Sequence, residues 1–200
     1  DDISDLEIYL VGDRMVLMLS ALCHRIDKIT VYELVSMADM TESPDLIFGY
    51  LGFGMSADEA ASRPPPLLQT MSTIFKESMQ MVAAGLGFEI ERFRTSHEYA
   101  LTTEDSMTTP GLIKKGHVGG QHFNYEALVG DRTVIEFKTY WRMADKLTPA
   151  WNQPMTGLTY VVEIDGEPGV RCTLEPVGER PAELGLIFTA SIVMNAIPEV

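Results

Sequence analysis

Gln121-His-Phe-Asn-Tyr-Glu-Ala-Leu-Val129, then Gly130-Asp131, then Thr133-Val-Ile-Glu-Phe-Lys-Thr-Tyr-Trp-Arg142 is the stretch that decides the fold. Each flank alternates apolar and polar residues, the period of a strand with one face buried. The Gly-Asp pair between them is a hairpin signal, because glycine supplies the positive φ that tight turns need. Two further alternating segments follow, Leu158 to Ile164 and Val170 to Leu174, on either side of Asp165-Gly166. Phe88 to Leu101 also alternates, with a change of phase near Phe93 that predicts a bulge. Thr102 to Gly111 reads as a polar loop. Trp151 and Pro154 fall in the one long connection.

The first half has a different period. Asp13 to Arg25 is apolar nearly all round (Met15, Val16, Leu17, Met18, Leu19, Ala21, Leu22), which predicts a helix buried on most faces. Asp27 and Lys28 are expected to break it before a β-branched strand, Ile29 to Val35. Met37 to Ser62 reads as irregular. Pro64-Pro65-Pro66 then opens a helix in which Leu67, Leu68, Met71, Ile74, Phe75, Met79 and Val82 keep three–four spacing. Gly85 and Gly87 are expected to end it. A last helix is expected from about Glu183 to Asn195, before Pro198. The order predicts an α+β fold: an open, largely antiparallel sheet with helices packed on one face. Phe123, Tyr125, Ile135, Phe137, Trp141, Tyr160 and Val162 look too many for three helices to cover, so a second sheet, a second subunit or a missing domain is expected to cover the excess.

Composition narrows the partners. The 200 residues carry 15 Lys+Arg and 29 Asp+Glu, a net charge of −14, with 46% hydrophobic and 22% charged residues. That acidity argues against nucleic acid and anionic membrane surfaces, which need clustered cations. Two cysteines, Cys23 and Cys172, make no disulfide framework and suggest a cytoplasmic location. The longest apolar run, Met15 to Cys23, is about half of what a spanning helix needs. No secretory leader is read.

Local motifs supply no catalytic centre. Gly52-Phe-Gly-Met-Ser-Ala57 fits a loose G-x-G-x-x-A, but no clear strand precedes it and little helix follows, so a glycine-hinged loop is expected. His117 and His122, with Glu126 as third ligand, could meet at a metal; a polar strand edge is the plainer reading, and no metal is expected. Cys23 and His24 are helical neighbours that point apart, so they form no thiolate–imidazole pair. His97 is expected at the surface. Glu89 and Glu91 lie beside Arg92 and Arg94, which suggests a solvated ion-pair face. Most of the 12 methionines are core fillers, but Met37 and Met40 lie in an irregular segment where thioethers could line an adaptable apolar pocket.

Two stretches carry a family resemblance. One is Thr139-Tyr-Trp-Arg-Met-Ala-Asp-Lys-Leu-Thr-Pro-Ala-Trp151 with Pro154 and Tyr160-Val-Val-Glu-Ile-Asp-Gly-Glu-Pro168. The other is Thr189-Ala-Ser-Ile-Val-Met-Asn-Ala-Ile-Pro-Glu-Val200. Both resemble the C-terminal half of the dihydrodipicolinate-reductase-like family that includes diaminopentanoate dehydrogenase and the native amine dehydrogenases. Gly12-Asp-Arg14, Ser20 to Glu33 and Leu51-Gly-Phe-Gly54 fit as well, so the resemblance runs over residues 12–200, with residues 1–11 of uncertain origin. It implies a substrate-binding and dimerisation domain, with a homodimer formed through the sheet. An N-terminal Rossmann domain that binds NAD or NADP would lie outside this chain. It implies hydride transfer at a carbonyl, imine or amine carbon. The Met and aromatic residues suggest an apolar or bulky substrate, and the alternative reading is a non-enzymatic apolar-ligand-binding or dimerisation module. The residues the resemblance points to are Met15, Leu19, Met37, Asp39, Met40 and Thr189 for substrate and Asn195 for the cofactor amide or the domain junction. The acidic residue that contacts the amine in such enzymes would come from the nucleotide half, so no catalytic residue is expected here. The basic cluster of the lysine-pathway reductases is missing; Lys114-Lys-Gly-His117 is only a faint echo.

Overall fold

The structure, a computed structural model, describes residues 10–62, 67–151, 157–179 and 181–196. Most of the uncertain segment 1–11, the proline run 64–66 and Pro154 lie outside these residues. A π-helical turn, Leu10–Arg14, leads into α1, Met15–Ser20. Strand β1 spans Arg25–Ser36. A second π-helical turn, Asp45–Tyr50, precedes two helices, α2, Ala57–Ser62, and α3, Leu67–Leu86. Then come β2, Arg92–Thr102; β3, Ser106–Met107; β4, Leu112–Ile113; β5, Val118–Val129; β6, Arg132–Arg142; and β7, Leu147–Thr148. The chain closes with β8, Leu158–Glu167, β9, Val170–Leu174, and α4, Pro181–Ala196.

Seven strands form one sheet in the order β7-β2-β5-β6-β1-β8-β9, and β3 and β4 make a small separate pair. Every pairing in the large sheet is antiparallel except β1 with β6. The expected α+β class with an open, largely antiparallel sheet is what the structure has.

The alternation sorts the sheet into two unlike faces. In register across four strands, Val162, Val31, Phe137 and Tyr125 share one face, with Ile164, Ile29, Ile135 and Ala127 in the row beside them. Helix α3 packs here. The Phe75 ring stacks on Tyr125 with centroids 4.3 Å apart and lies 5.3 Å from Phe137. Met71, Ile74, Met79 and Val82 of the same helix are buried with it, as their three–four spacing requires.

The far face is mixed: Leu34 and Val161 are buried on it, beside paired charges. Lys28 and Lys138 both reach the Glu136 carboxylate, at 2.6 and 3.1 Å. Arg94 forks onto Glu126 with two bonds of 2.6 Å, and His122 stacks on Tyr140 at 4.0 Å. Burial pushes the Glu136 carboxyl up, but hydrogen bonds from the two lysines outweigh it and hold the group below its ordinary range.

Several expectations are corrected. The large apolar residues are not a surplus: Phe123, Tyr125, Ile135, Phe137, Tyr160 and Val162 all lie on the helix face and are buried there. Helix α1 is shorter than its apolar run and leaves Met18 67% and Leu22 63% exposed. Arg25 to Lys28 belong to β1; the register shift with β8 falls between Ile26 and Lys28, so Asp27 marks a bulge rather than a helix stop. The irregular region holds α2, capped by a Ser56–Glu59 box in which the Ser56 N–H donates to Glu59 at 2.8 Å. The bulge of β2 is at Ala100–Leu101, not near Phe93. Gly130 turns the β5–β6 hairpin with φ 59°, as read. Asp165-Gly166, in contrast, stays in β8, where a side chain on Gly166 would meet the Arg25 carbonyl at 2.1 Å. That glycine permits a close strand approach instead of a turn.

Phe75 is the test of this packing. Phe75→Ala should destabilise the fold by about 3–5 kcal/mol, whereas the exposed Met18→Ser should stay within about 0.5 kcal/mol. Urea unfolding monitored by circular dichroism measures both.

Candidate functional site

The helix face is apolar along most of β1, where Ile29, Val31 and Val35 alternate inward. Glu33 falls in the same phase. It pairs laterally with Thr139 of β6 and Tyr160 of β8, so one row of the sheet turns polar: Tyr160, Glu33, Thr139. The next row carries Trp141, whose indole Nε1–H donates to Glu33 Oε2 at 3.0 Å.

Above this row α3 and the Leu10–Arg14 turn leave a small cavity of about 20 Å³. Its lining includes Val11, Gly12, Val31, Glu33, Phe75, Phe137, Lys138, Thr139 and Tyr160. That is room for about one water, well short of a ligand pocket. Two buried hydroxyls near it, Thr139 Oγ1 on the wall and Tyr125 Oη, find no hydrogen-bond partner among the described residues. Buried polar atoms are normally paired, so such atoms beside a cavity mark places where a ligand or water would bond. Tyr125 holds its proton far more tightly than an ordinary phenol, because burial and the negative Glu33 both oppose ionisation.

Asp13 sits beside Gly12 and is fully buried. Its Oδ1 accepts the Arg14 backbone N–H, and its Oδ2 has no partner among the described residues. Burial raises its pKa to about 6, against the lowering pull of that hydrogen bond and of Arg14.

A second polar group lies further along the same face. His97 is not at the surface: it stacks on Phe123 at 4.4 Å, meets Tyr99 edge-on at 4.3 Å, and lies 3.1 Å from Gln121 Oε1. Desolvation lowers its pKa to about 4, so it is neutral at physiological pH. Gln121 is anchored in turn, its Nε2 donating to the Leu51 carbonyl at 2.6 Å.

Residues 10–200 match the family model described as the 2,4-diaminopentanoate dehydrogenase C-terminal domain. The chain belongs to this family. Among solved structures it is similar to an amine dehydrogenase from Mycobacterium smegmatis, with a TM-score of 0.64 and 16% identity. That match covers 92% of this chain and 52% of the other, so the chain spans about half the length of that protein. At this identity the likeness speaks for the fold. No curated protein matches the chain.

Within this diaminopentanoate-dehydrogenase-type domain, Met15, Leu19, Met37, Asp39 and Met40 are absent from the cavity lining named above. Met15 and Leu19 of α1 are half-buried against the main core. Met37 and Met40 follow β1 and are buried, with the Met37 N–H bonded to the Arg142 carbonyl at 2.8 Å. Asp39 between them is exposed. The side chains of Thr189 and Asn195 lie outside the described residues. Glu33, Thr139 and Phe75 were not singled out. The available signal was the carboxylate at Glu33, in phase with three β-branched residues that face inward.

His117 and His122 do not converge: His117 Nδ1 lies 3.2 Å from the Lys115 carbonyl and His122 Nδ1 2.9 Å from that of Thr139. Among the described residues no three His, Cys, Asp or Glu gather as a metal site. The Gly52–Ala57 loop does not build a pyrophosphate cradle either. The Gly54 N–H is bonded to the Val118 carbonyl at 2.8 Å, and the helix that follows has six residues. This loop therefore does not fit the phosphate half of a nicotinamide dinucleotide.

Asp13 yields a pH test. Its carboxyl pKa is raised from 3.8 to about 6, so its cost is absent below the lower value and grows as pH rises through that window. Asp13→Asn, which imitates the protonated acid, should match the parent at pH 3.5 and exceed it by about 1–3 kcal/mol at pH 8. Thermal unfolding at the two pH values checks this.

Proposed function

We propose that this chain is the substrate-binding and dimerisation domain of a cytoplasmic NAD(P)-dependent oxidoreductase acting at a carbonyl, imine or amine carbon of a small, largely apolar substrate. One observation carries the reading: residues 10–200 match the C-terminal domain of the diaminopentanoate dehydrogenase family. A nicotinamide supplies hydride chemistry when bound. The protein's part here is to orient a substrate and to exclude water from it. Met15, Leu19, Met37, Asp39, Met40 and Thr189 are proposed to serve the substrate, and Asn195 the cofactor amide or the domain junction, on the strength of the family resemblance. The NAD(P)-binding half is assigned to a separate Rossmann domain of the same protein.

The homodimer is proposed to form through the far face of the sheet. Its reason is no longer an excess of apolar residues, since the helices bury those. What supports it is a broad face on which the charges already neutralise one another, as in Lys28–Glu136–Lys138 and Arg94–Glu126. Such a face can meet its two-fold copy without stranding bare charge. Among the described residues no helix is long and apolar enough to cross a membrane.

Steady-state assay of the protein as its gene encodes it, with NAD⁺ or NADP⁺ and a panel of short primary amines, tests the oxidoreductase reading. Reduction of the nicotinamide, followed at its absorbance band, is expected; no turnover with either cofactor in either direction overturns it. Light scattering at micromolar concentration should give twice the chain mass, and a monomer contradicts the dimer.

A further inference from the structure

We infer that the small cavity over Glu33 is a binding site for one ordered water, which bridges β1 and β6 between the Glu33 carboxylate and the Thr139 hydroxyl. The inference goes beyond the reading above and does not rest on it: it concerns how the sheet tolerates a polar row on its buried face. The room of about 20 Å³ suits a water and is too little for an organic ligand. Spaces of this kind stay dry when their walls are apolar, and a buried water takes about two to four polar partners.

One row of the sheet supplies those partners. Tyr160, Glu33 and Thr139 are register neighbours on β8, β1 and β6, and all three line the cavity. Thr139 Oγ1 belongs to a residue 1% exposed and has no partner among the described residues. A buried hydroxyl left in that state costs more than a made hydrogen bond contributes, and a water removes the cost. Glu33 Oε2 accepts the Trp141 indole N–H at 3.0 Å. A carboxylate has about four acceptor positions, so it can take an O–H from a water as well. The spacing agrees: neighbouring strands lie about 4.8 Å apart, which is what one water spans between two oxygens with bonds of about 2.8 Å on each side. Lys138 does not compete for the space. Its Nζ is on the far face, 3.1 Å from Glu136 and over the Tyr32 ring, so it meets the cavity with its main chain. Phe75 and Phe137 close the remaining walls and keep the water from exchanging freely with solvent.

The test is a high-resolution crystal structure of the protein together with thermal unfolding of two Thr139 variants. One water is expected about 2.8 Å from both Thr139 Oγ1 and a Glu33 carboxylate oxygen. Thr139→Val exchanges the hydroxyl for a methyl group. It should remove the water and lower Tm by about 2–4 °C, the shift that one hydrogen bond makes in a chain of this size. Thr139→Ser keeps the hydroxyl and should keep the water. The sign of the Tm shift separates the two cases. In a dry cavity the Thr139 hydroxyl is simply unsatisfied, and Thr139→Val would raise Tm by deleting it. Oxygen-17 relaxation dispersion of the parent and of Thr139→Val gives a reading in solution: the variant should lose one long-lived internal water. No water within hydrogen-bond reach of Thr139, a water that persists in Thr139→Val, an unchanged or raised Tm, or equal dispersion in parent and variant overturns the inference.

Discussion

The stack of Phe75 on Tyr125 is the contact on which the architecture depends. It brings α3 down onto the middle of the sheet, with centroids 4.3 Å apart, and Phe137 closes the cluster from the neighbouring strand. A sheet with a period of two has no freedom to divide its apolar residues: once Tyr125 faces the helix, so do Phe123 and Ala127 on its own strand and Phe137 and Ile135 across from it. β1 then docks beside β6 in parallel and brings Ile29 and Val31 to the same side. The opposite face carries charges that neutralise one another locally, together with Leu34, Tyr140 and Val161.

Glu33 is the exception within that order. Placing a carboxylate in phase with buried β-branched residues opposes folding unless the carboxylate is hydrogen-bonded, and Trp141 is the donor that satisfies part of the need. Asp13, His97 and the unpaired hydroxyls of Thr139 and Tyr125 belong to the same side of the sheet. Local rules of burial are broken together in one region, which is the pattern of a site shaped for binding rather than for stability. The two titrating groups act in opposite senses. Acidification from pH 6.5 toward 4 costs stability through His97, held neutral by burial, while it relieves Asp13 over an overlapping range.

Much of this was legible in the sequence. The β5–β6 hairpin, α3, the last helix and the α+β order follow from period and turn chemistry alone. What failed did so for identifiable physical reasons. Met18 and Leu22 look buried because an apolar helix usually is, yet α1 ends at Ser20 and only part of it meets the core. Asp27 looks like a helix stop because a bulge and a break share the same residues. The helix face seemed overfilled because α3 had not been credited with covering Tyr125 and Phe137 at once. At the site, thioethers near the end of β1 drew attention by type, whereas Glu33 stood out only by phase. Its neighbours Thr139 and Tyr160 are brought beside it by pairings separated by more than a hundred residues, which no local pattern reveals.

The account's central claim is that Phe75 docks α3 onto the sheet against Tyr125 and Phe137. A crystal structure tests it most directly. The Phe75 ring should stack on Tyr125 with centroids 4.3 Å apart. A structure in which α3 leaves Tyr125 uncovered, or in which another side chain takes the place of Phe75, would contradict it.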